Sequence, residues 1–277
     1  MTALRYLRLD FALLGGEAPF FIGSALRGAF GHSLKKVCCI NPKEECEGCF
    51  ASSTCLYWDF FEKREGAHGY RFCIDMPASS WSFGIYLYEE ACDKAPYVIS
   101  ALDSAITTIG LGAKRQTPKI ESVKANGADI YKNGRYDLKD SKPALFDPKT
   151  ASKISKITLK TPLRLKSDGK MVKKEEITAL SIALSAQRRY DELKGEGAKR
   201  RRHEYARENE KANLEFLDLE RYSNRQKTKM GLGGYVGAIE CADMKEEMAT
   251  ALRLGEIVGV GKSCVFGLGE IKLEEKE

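Results

Sequence analysis

Two stretches hold residue types whose spacing could do chemistry. One is "GVGKSCVFGLG", Gly259 to Gly269, near the C-terminus. Glycines turn tightly, let backbones approach, and leave N–H groups that can bind phosphate. The other is Cys39-x6-Cys46-x2-Cys49-x5-Cys55, four of the nine cysteines in one short segment. Four thiolates around a CxxC suit a tetrahedral zinc in a redox-silent structural site. An iron–sulfur cluster takes the same four ligands, Cys38 could replace Cys39, and reduced unbound thiols are the alternative. Cys73, Cys92, Cys241 and Cys264 stand in apolar contexts and read as core thiols.

The letters of Gly261, Lys262 and Ser263 suggest a nucleotide-hydrolysing P-loop, and spacing argues against it. That motif needs a glycine five positions before Gly261, where Glu256 stands. It must also open a helix inside a parallel sheet, and only "CVFGLGEIKLEEKE" follows Ser263, room for one strand. What remains is a glycine-rich loop between a helix and a final strand.

The elements that must position these residues follow from periodicity. "LRYLRLDFALLG" alternates as a strand; "FFIGSALRGAFGHSLKKV" is a helix with Ile22, Leu26, Phe30 and Leu34 on one face. An irregular Cys-rich insertion over about 38–55 follows. "YRFCIDM" and "WSFGIYLYE" are strands, "APYVISALDSAITTIGLG" a helix and "KIESVKA" a strand. Strand, helix, strand, strand, helix, strand is the ferredoxin-like order. Residues 127–152 are polar, with Gly and Pro, and read as a linker or hairpin. The order then recurs: strand "KISKITLKTPLRLK", helix "EEITALSIALSAQRRYDEL", strands "LEFLDLERYSNRQKTKM" and "GGYVGAIECA", helix "KEEMATALRLGEIV" and strand "GLGEIKLE". The fold class is α+β: tandem ferredoxin-like domains, 1–126 and 153–277, the second with the glycine-rich loop and a charged finger, "KGEGAKRRRHEYARENEKANLE". Both second helices run into glycine turns, "IGLGAKR" and "VGVGKS".

Composition bounds the function. The chain has 277 residues, 43% hydrophobic and 30% charged, with a net charge of +6 and a pI near 8.7. This permits nucleic-acid binding without demanding it. No apolar run suits a bilayer span and no signal-peptide pattern opens the chain, so a cytoplasmic, membrane-free protein is expected.

At this point the residues resemble a known family. "RYSNRQKTKMGLGGYVGAIECADMKEEMATALRLGEIVGVGKSCVFGLGEIKL" is similar to the C-terminal part of the CRISPR-associated RAMP endoribonucleases that cut precursor CRISPR RNA, the Cas six family. "GSALRGAFGHSLKKVCC" followed by "CEGCFASSTCLYWDFFE" resembles its cysteine-bearing branch, and "TPLRLKSDGK" with "SAQRRYDELKGEG" fits its middle section. The resemblance implies two RRM-like domains, the glycine-rich loop lying close to RNA, and a repeat-specific cut without a metal. The ribose 2′-hydroxyl attacks the phosphate and leaves a 2′,3′-cyclic phosphate and a 5′-hydroxyl. Implied partners are the precursor CRISPR RNA repeat, kept as product, and other effector subunits.

Such a cut needs proton transfer near neutral pH, which suits histidine, and positive charge for the phosphorane-like transition state. His32 lies on the first helix, where the family often supplies its catalytic side chain, with Lys35 and Lys36 at i+3 and i+4. His203, among arginines, and His68 are rivals; Tyr57 and Tyr222 could share the work. No cofactor is expected for catalysis. RNA contacts are expected from Arg188, Arg189, Lys199, Arg200, Arg201, Arg202, Arg225, Lys227, Lys229, Gly259, Gly261, Lys262, Gly267 and Gly269. The rival functions are a non-cleaving RNA-binding RAMP subunit and a metal-braced scaffold with no RNA role.

Overall fold

Alternation along "LRYLRLDFALL" makes Leu4–Leu14 a strand (β1) whose Leu7, Leu9, Phe11 and Leu13 are all buried. The computed structural model describes residues 3–41, 45–139, 141–146, 154–167, 169–196, 210–223, 228–242 and 244–275. In its first unit, Leu4–Phe146, the next strands are Tyr70–Cys73 (β2), Phe83–Tyr88 (β3) and Lys119–Ala125 (β4). The antiparallel sheet runs β2-β3-β1-β4. Its register puts Leu7 opposite Leu87, Leu9 opposite Ile85 and Phe11 opposite Phe83, so one face is uniformly apolar. Helices Gly23–Cys38 (α1) and Ala95–Ser104 (α2) make the two crossovers and pack together. Phe30 of α1 meets Phe60, Phe61, Tyr70 and Phe72 at ring separations of 6.2, 5.7, 5.6 and 5.8 Å. This aromatic cluster fixes the helix that carries His32.

Of the two readings of residues 127–152, linker or hairpin, the described part takes the hairpin and extends this unit. Ala128–Asp129 continues the sheet beside β4, Tyr131–Lys132 pairs with Arg135–Tyr136, and Ala144–Phe146 pairs with β1. The reason is an open edge. The pairing of β4 with β1 begins at Leu9, and Ala144–Phe146 fills the place beside Leu4 to Tyr6. The Tyr136 hydroxyl ties the hairpin to α2 by donating to Asp103, 2.8 Å away.

The second unit repeats the plan. Its strands are Ile154–Leu163 (β5), Glu210–Leu217 (β6), Gly234–Cys241 (β7) and Ile271–Glu275 (β8), in the order β6-β7-β5-β8. Helix Ala179–Leu193 (α3) starts at a capping box in which Thr178 and Ser181 bond each other's backbone N–H through their hydroxyls, at 3.0 and 2.9 Å. Helix Glu246–Val258 (α4) buries Met248, Ala251, Leu252, Gly255 and Val258.

The stretch expected as one strand after the charged finger divides in two. β6 pairs with β7 as far as Leu217 opposite Gly234. With no partner strand beyond, the chain folds on itself as a hairpin, Glu220–Ser223 against Thr228–Gly231, its neck closed by Leu232 N–H to Leu219 O at 2.6 Å. The final strand starts only at Ile271. The expected internal repeat is real. Gly110 ends the second helical segment of the first unit and Gly259 ends α4, with φ of 83° and 73°. Among the described residues, no helix is long and apolar enough to cross a membrane.

Candidate functional site

The first candidate surface is α1. Arg27, Gly31 and Lys35 recur at every fourth residue, so they share one side of the helix. The Arg27 guanidinium lies 4.7 Å from the centre of the Phe61 ring and the Lys35 ammonium 5.8 Å from that of Tyr57. The two rings stack on each other at 5.2 Å, 12° from parallel. Gly31 makes room for this stack, because a Cβ there would sit 2.6 Å from Phe61. His32 and Lys36, four apart, are both exposed. Of the expected catalytic trio, the structure therefore presents His32 and Lys36 to solvent and turns Lys35 onto an aromatic ring. An exposed imidazole with a cation one turn away can exchange protons beside an anion. His68 has a structural partner: its Nδ1 lies 2.9 Å from the Asp59 carbonyl. His203 lies outside the described residues.

The aromatic support was the part that spacing did not reveal. No spacing sets Tyr57 apart from the other tyrosines, and Arg27 belongs to no motif. The available signal was the Arg27, Gly31, Lys35 periodicity, with a glycine in the middle.

The second surface surrounds the end of α4. Each of the five backbone N–H groups expected to face RNA donates inside the unit: Gly259 to Gly255 O, Gly261 to Ser185 Oγ, Lys262 to Arg164 O, Gly267 to Cys264 O and Gly269 to Pro162 O, at 2.9, 2.8, 2.8, 2.9 and 3.2 Å. Gly259, Gly267 and Gly269 are themselves buried. The glycines close a tight structural loop: a Cβ on Gly261 would meet Arg164 O at 2.6 Å, and one on Gly269 would collide with the Val260 carbonyl. What the loop offers an anion is the exposed Lys262 side chain.

The arginines and lysines divide likewise. Arg189 donates through Nε to Val258 O at 2.9 Å, satisfying a carbonyl at the C-terminus of α4. Arg188 is exposed and pairs with Glu192 at 3.1 Å; Lys229 pairs with Glu220 at 3.5 Å on the hairpin. Arg221 of the hairpin lies 4.6 Å from the centre of the Phe266 ring, which docks the hairpin on the glycine loop. Tyr222 stands opposite Lys229 in the hairpin register. Arg164 donates to Gly233 O, and burial lowers its guanidinium pKa. Lys199, Arg200, Arg201, Arg202, Arg225 and Lys227 lie outside the described residues.

The third feature is a cavity of about 400 Å³ lined by Cys39, Cys46, Cys49 and Cys55, with Tyr57 and Trp58. Cys38 points elsewhere: its thiol donates to Leu34 O at 2.8 Å, and burial, then the nearby Cys55, pushes its pKa up to about 11. That favours Cys39 over Cys38 in the set of four. Among the described residues, no three His, Cys, Asp or Glu side chains converge closely enough to hold a single metal ion.

Two βαββαβ units in tandem define a double ferredoxin-like fold. Family models make this particular. Residues 157–271 match the model described as CRISPR-associated endoribonuclease Cas6, and residues 4–143 match AF_1859_N, an N-terminal domain. Residues 157–271 are thus a Cas6 domain by sequence. Thermus thermophilus Cas6 is 13% identical with a TM-score of 0.55, over 99% of this chain and 100% of that one. The product complex of that Cas6 gives 15%, 0.55, 99% and 100%; the product complex of another Cas6 gives 16%, 0.51, 99% and 100%. At such identities the likeness shows the fold. No curated protein matches the chain.

Proposed function

We propose that this protein is a metal-independent endoribonuclease that cuts precursor CRISPR RNA within its repeats. The observation that carries the reading is the exposed face of α1, where His32 stands one turn from Lys36 in a chain with a Cas6 domain. His32 takes the proton of the 2′-hydroxyl next to the scissile phosphate. The 2′-oxygen bonds to phosphorus, the bond from phosphorus to the 5′-oxygen breaks, and that oxygen takes a proton from solvent water to leave as a 5′-hydroxyl. The other product end is a 2′,3′-cyclic phosphate. Lys36, with Lys35 held on Tyr57, offsets the charge that grows on the phosphoryl oxygens. Lys262, Arg188 and Lys229, with the basic residues Lys199 to Arg202, Arg225 and Lys227, supply phosphate contacts that give affinity and salt dependence. The product stays bound and passes to other effector subunits.

The test is incubation with a repeat RNA from the same locus in EDTA, beside His32→Ala and an RNA with a 2′-deoxy residue at the cut. One defined cut, absent from the 2′-deoxy RNA and about 10²- to 10⁴-fold slower in His32→Ala, is expected. A cut that survives His32→Ala moves the proton transfer to another residue. Tight binding with no cut in EDTA or magnesium would make the chain a non-cleaving subunit.

A further inference from the structure

We propose that Phe216 and Tyr235 form a stacking platform for one unpaired base of the bound RNA. The inference rests on the RNA reading above and adds a subsite to it. Residues two apart on a strand share a face, so Phe216 continues the face of β6 that carries Leu214. Leu214 is buried, whereas Phe216 is 55% exposed. Register puts Phe216 opposite Tyr235 of β7, and the two rings meet edge to face, their centres 5.4 Å apart and their planes 79° from parallel. A neighbouring ring at that angle fixes Phe216 and leaves much of it open to solvent.

The surroundings select the occupant. The Phe216 ring lies along the backbone of Gly233, where a Cβ would come within 2.9 Å of its Cζ. Arg164 lies against the next glycine: a Cβ on Gly234 would sit 3.0 Å from Arg164 Cγ, and the guanidinium donates to Gly233 O. The Arg164 carbonyl in turn accepts the Lys262 N–H at 2.8 Å. One residue therefore joins the aromatic pair to the loop whose exposed lysine is available to a phosphate. A flat apolar surface one ring wide, with cations beside it, suits a nucleobase on an anionic backbone. A stable protein partner needs a far larger surface. Every base has a π-face, so the platform accepts any of the four and holds the register of the strand rather than its sequence.

The test is binding of a repeat RNA from the same locus at several salt concentrations, beside copies in which one unpaired nucleotide at a time is made abasic. Phe216→Ala should weaken binding about 5- to 150-fold, the effect of one stacked base. The slope of log affinity against log salt should not change, because no phosphate contact is lost. Phe216→Tyr should bind as wild type does, and Phe216→Leu should be weakened like Phe216→Ala. That pair keeps the test intact if the alanine variant fails to fold. One abasic position should weaken the wild type by the same factor and make Phe216→Ala no weaker than it already is. Equal affinity of Phe216→Ala and wild type would overturn the platform, as would losses that multiply at every abasic position. A wild-type chain that binds no repeat RNA would instead sink the RNA reading itself, and the platform with it.

Discussion

Lys35 carries its ammonium 5.8 Å from the centre of the Tyr57 ring, and Tyr57 also lines the cysteine cavity. One aromatic side chain thus separates the basic face of α1 from the cysteine loop. A cation over an aromatic face gains about 0.5–1 kcal/mol at exposed sites. The larger effect is placement, since the ring decides where Lys35 stands relative to His32.

Tyr57→Phe keeps the ring and should leave urea stability within about 0.5 kcal/mol of wild type. Tyr57→Ala removes the stack on Phe61 and the seat of Lys35, and should lower stability by roughly 2–4 kcal/mol. Equal midpoints for the two variants in urea unfolding would contradict this account.

Gly269 has φ of 69°, and a Cβ there would strike the Val260 carbonyl, the backbone of the neighbouring turn. Gly269→Ala should cost more than about 2 kcal/mol, since neither strain nor clash can relax cheaply. Gly28 on α1 has open space around its Cα. Gly28→Ala should therefore stabilise by about 0.5–1 kcal/mol. Thermal unfolding of both variants reads the contrast.

Arg189 serves the fold and Lys262 faces solvent. Arg189→Met breaks the charged hydrogen bond to Val258 O and should lower stability by about 1.5–3 kcal/mol. Lys262→Ala should leave stability within about 0.5 kcal/mol and reduce the slope of log affinity against log salt by about one in repeat-RNA binding. Filter binding at several salt concentrations separates the two roles.

Alkaline pH should weaken the first unit. Burial pushes the Cys92 thiol from an ordinary value of 9.0 to about 12, and burial pushes Tyr70 from 10.0 to about 12 against the opposing charge of Arg27. The folded chain keeps protons that the unfolded chain loses. This stabilisation is complete below the ordinary pKa and falls as pH rises from about 9 towards 12. Cys92→Ala should flatten the part of the decline that begins near pH 9. Urea midpoints across that range measure it, and an identical decline in the variant would rule out Cys92 as a contributor.

Much of the architecture was legible in the chain. Period-two alternation marked β1, period-3.6 spacing marked α1, and the glycines after both second helices showed the repeat. These signals are local, since strand and helix periods follow from backbone geometry and one buried face. The choice between linker and hairpin over residues 127–152 and the division of the long C-terminal strand were less legible. Whether Ala144–Phe146 joins β1, and where β6 ends, depends on which strand edges lie open, and sequence spacing does not encode that.

The sequence by itself determined the double βαββαβ order, the Cas6 domain over residues 157–271 and the residue types of every candidate site. Only the tertiary structure decided their roles. It turned the glycine-loop N–H groups onto Arg164, Ser185 and Pro162, placed Arg189 on a helix end, and left His32, Lys36 and Lys262 facing solvent. The physical reason is that a donor's availability depends on what packs against it in three dimensions. Two glycines or arginines alike in sequence differ once one of them finds a buried carbonyl to satisfy.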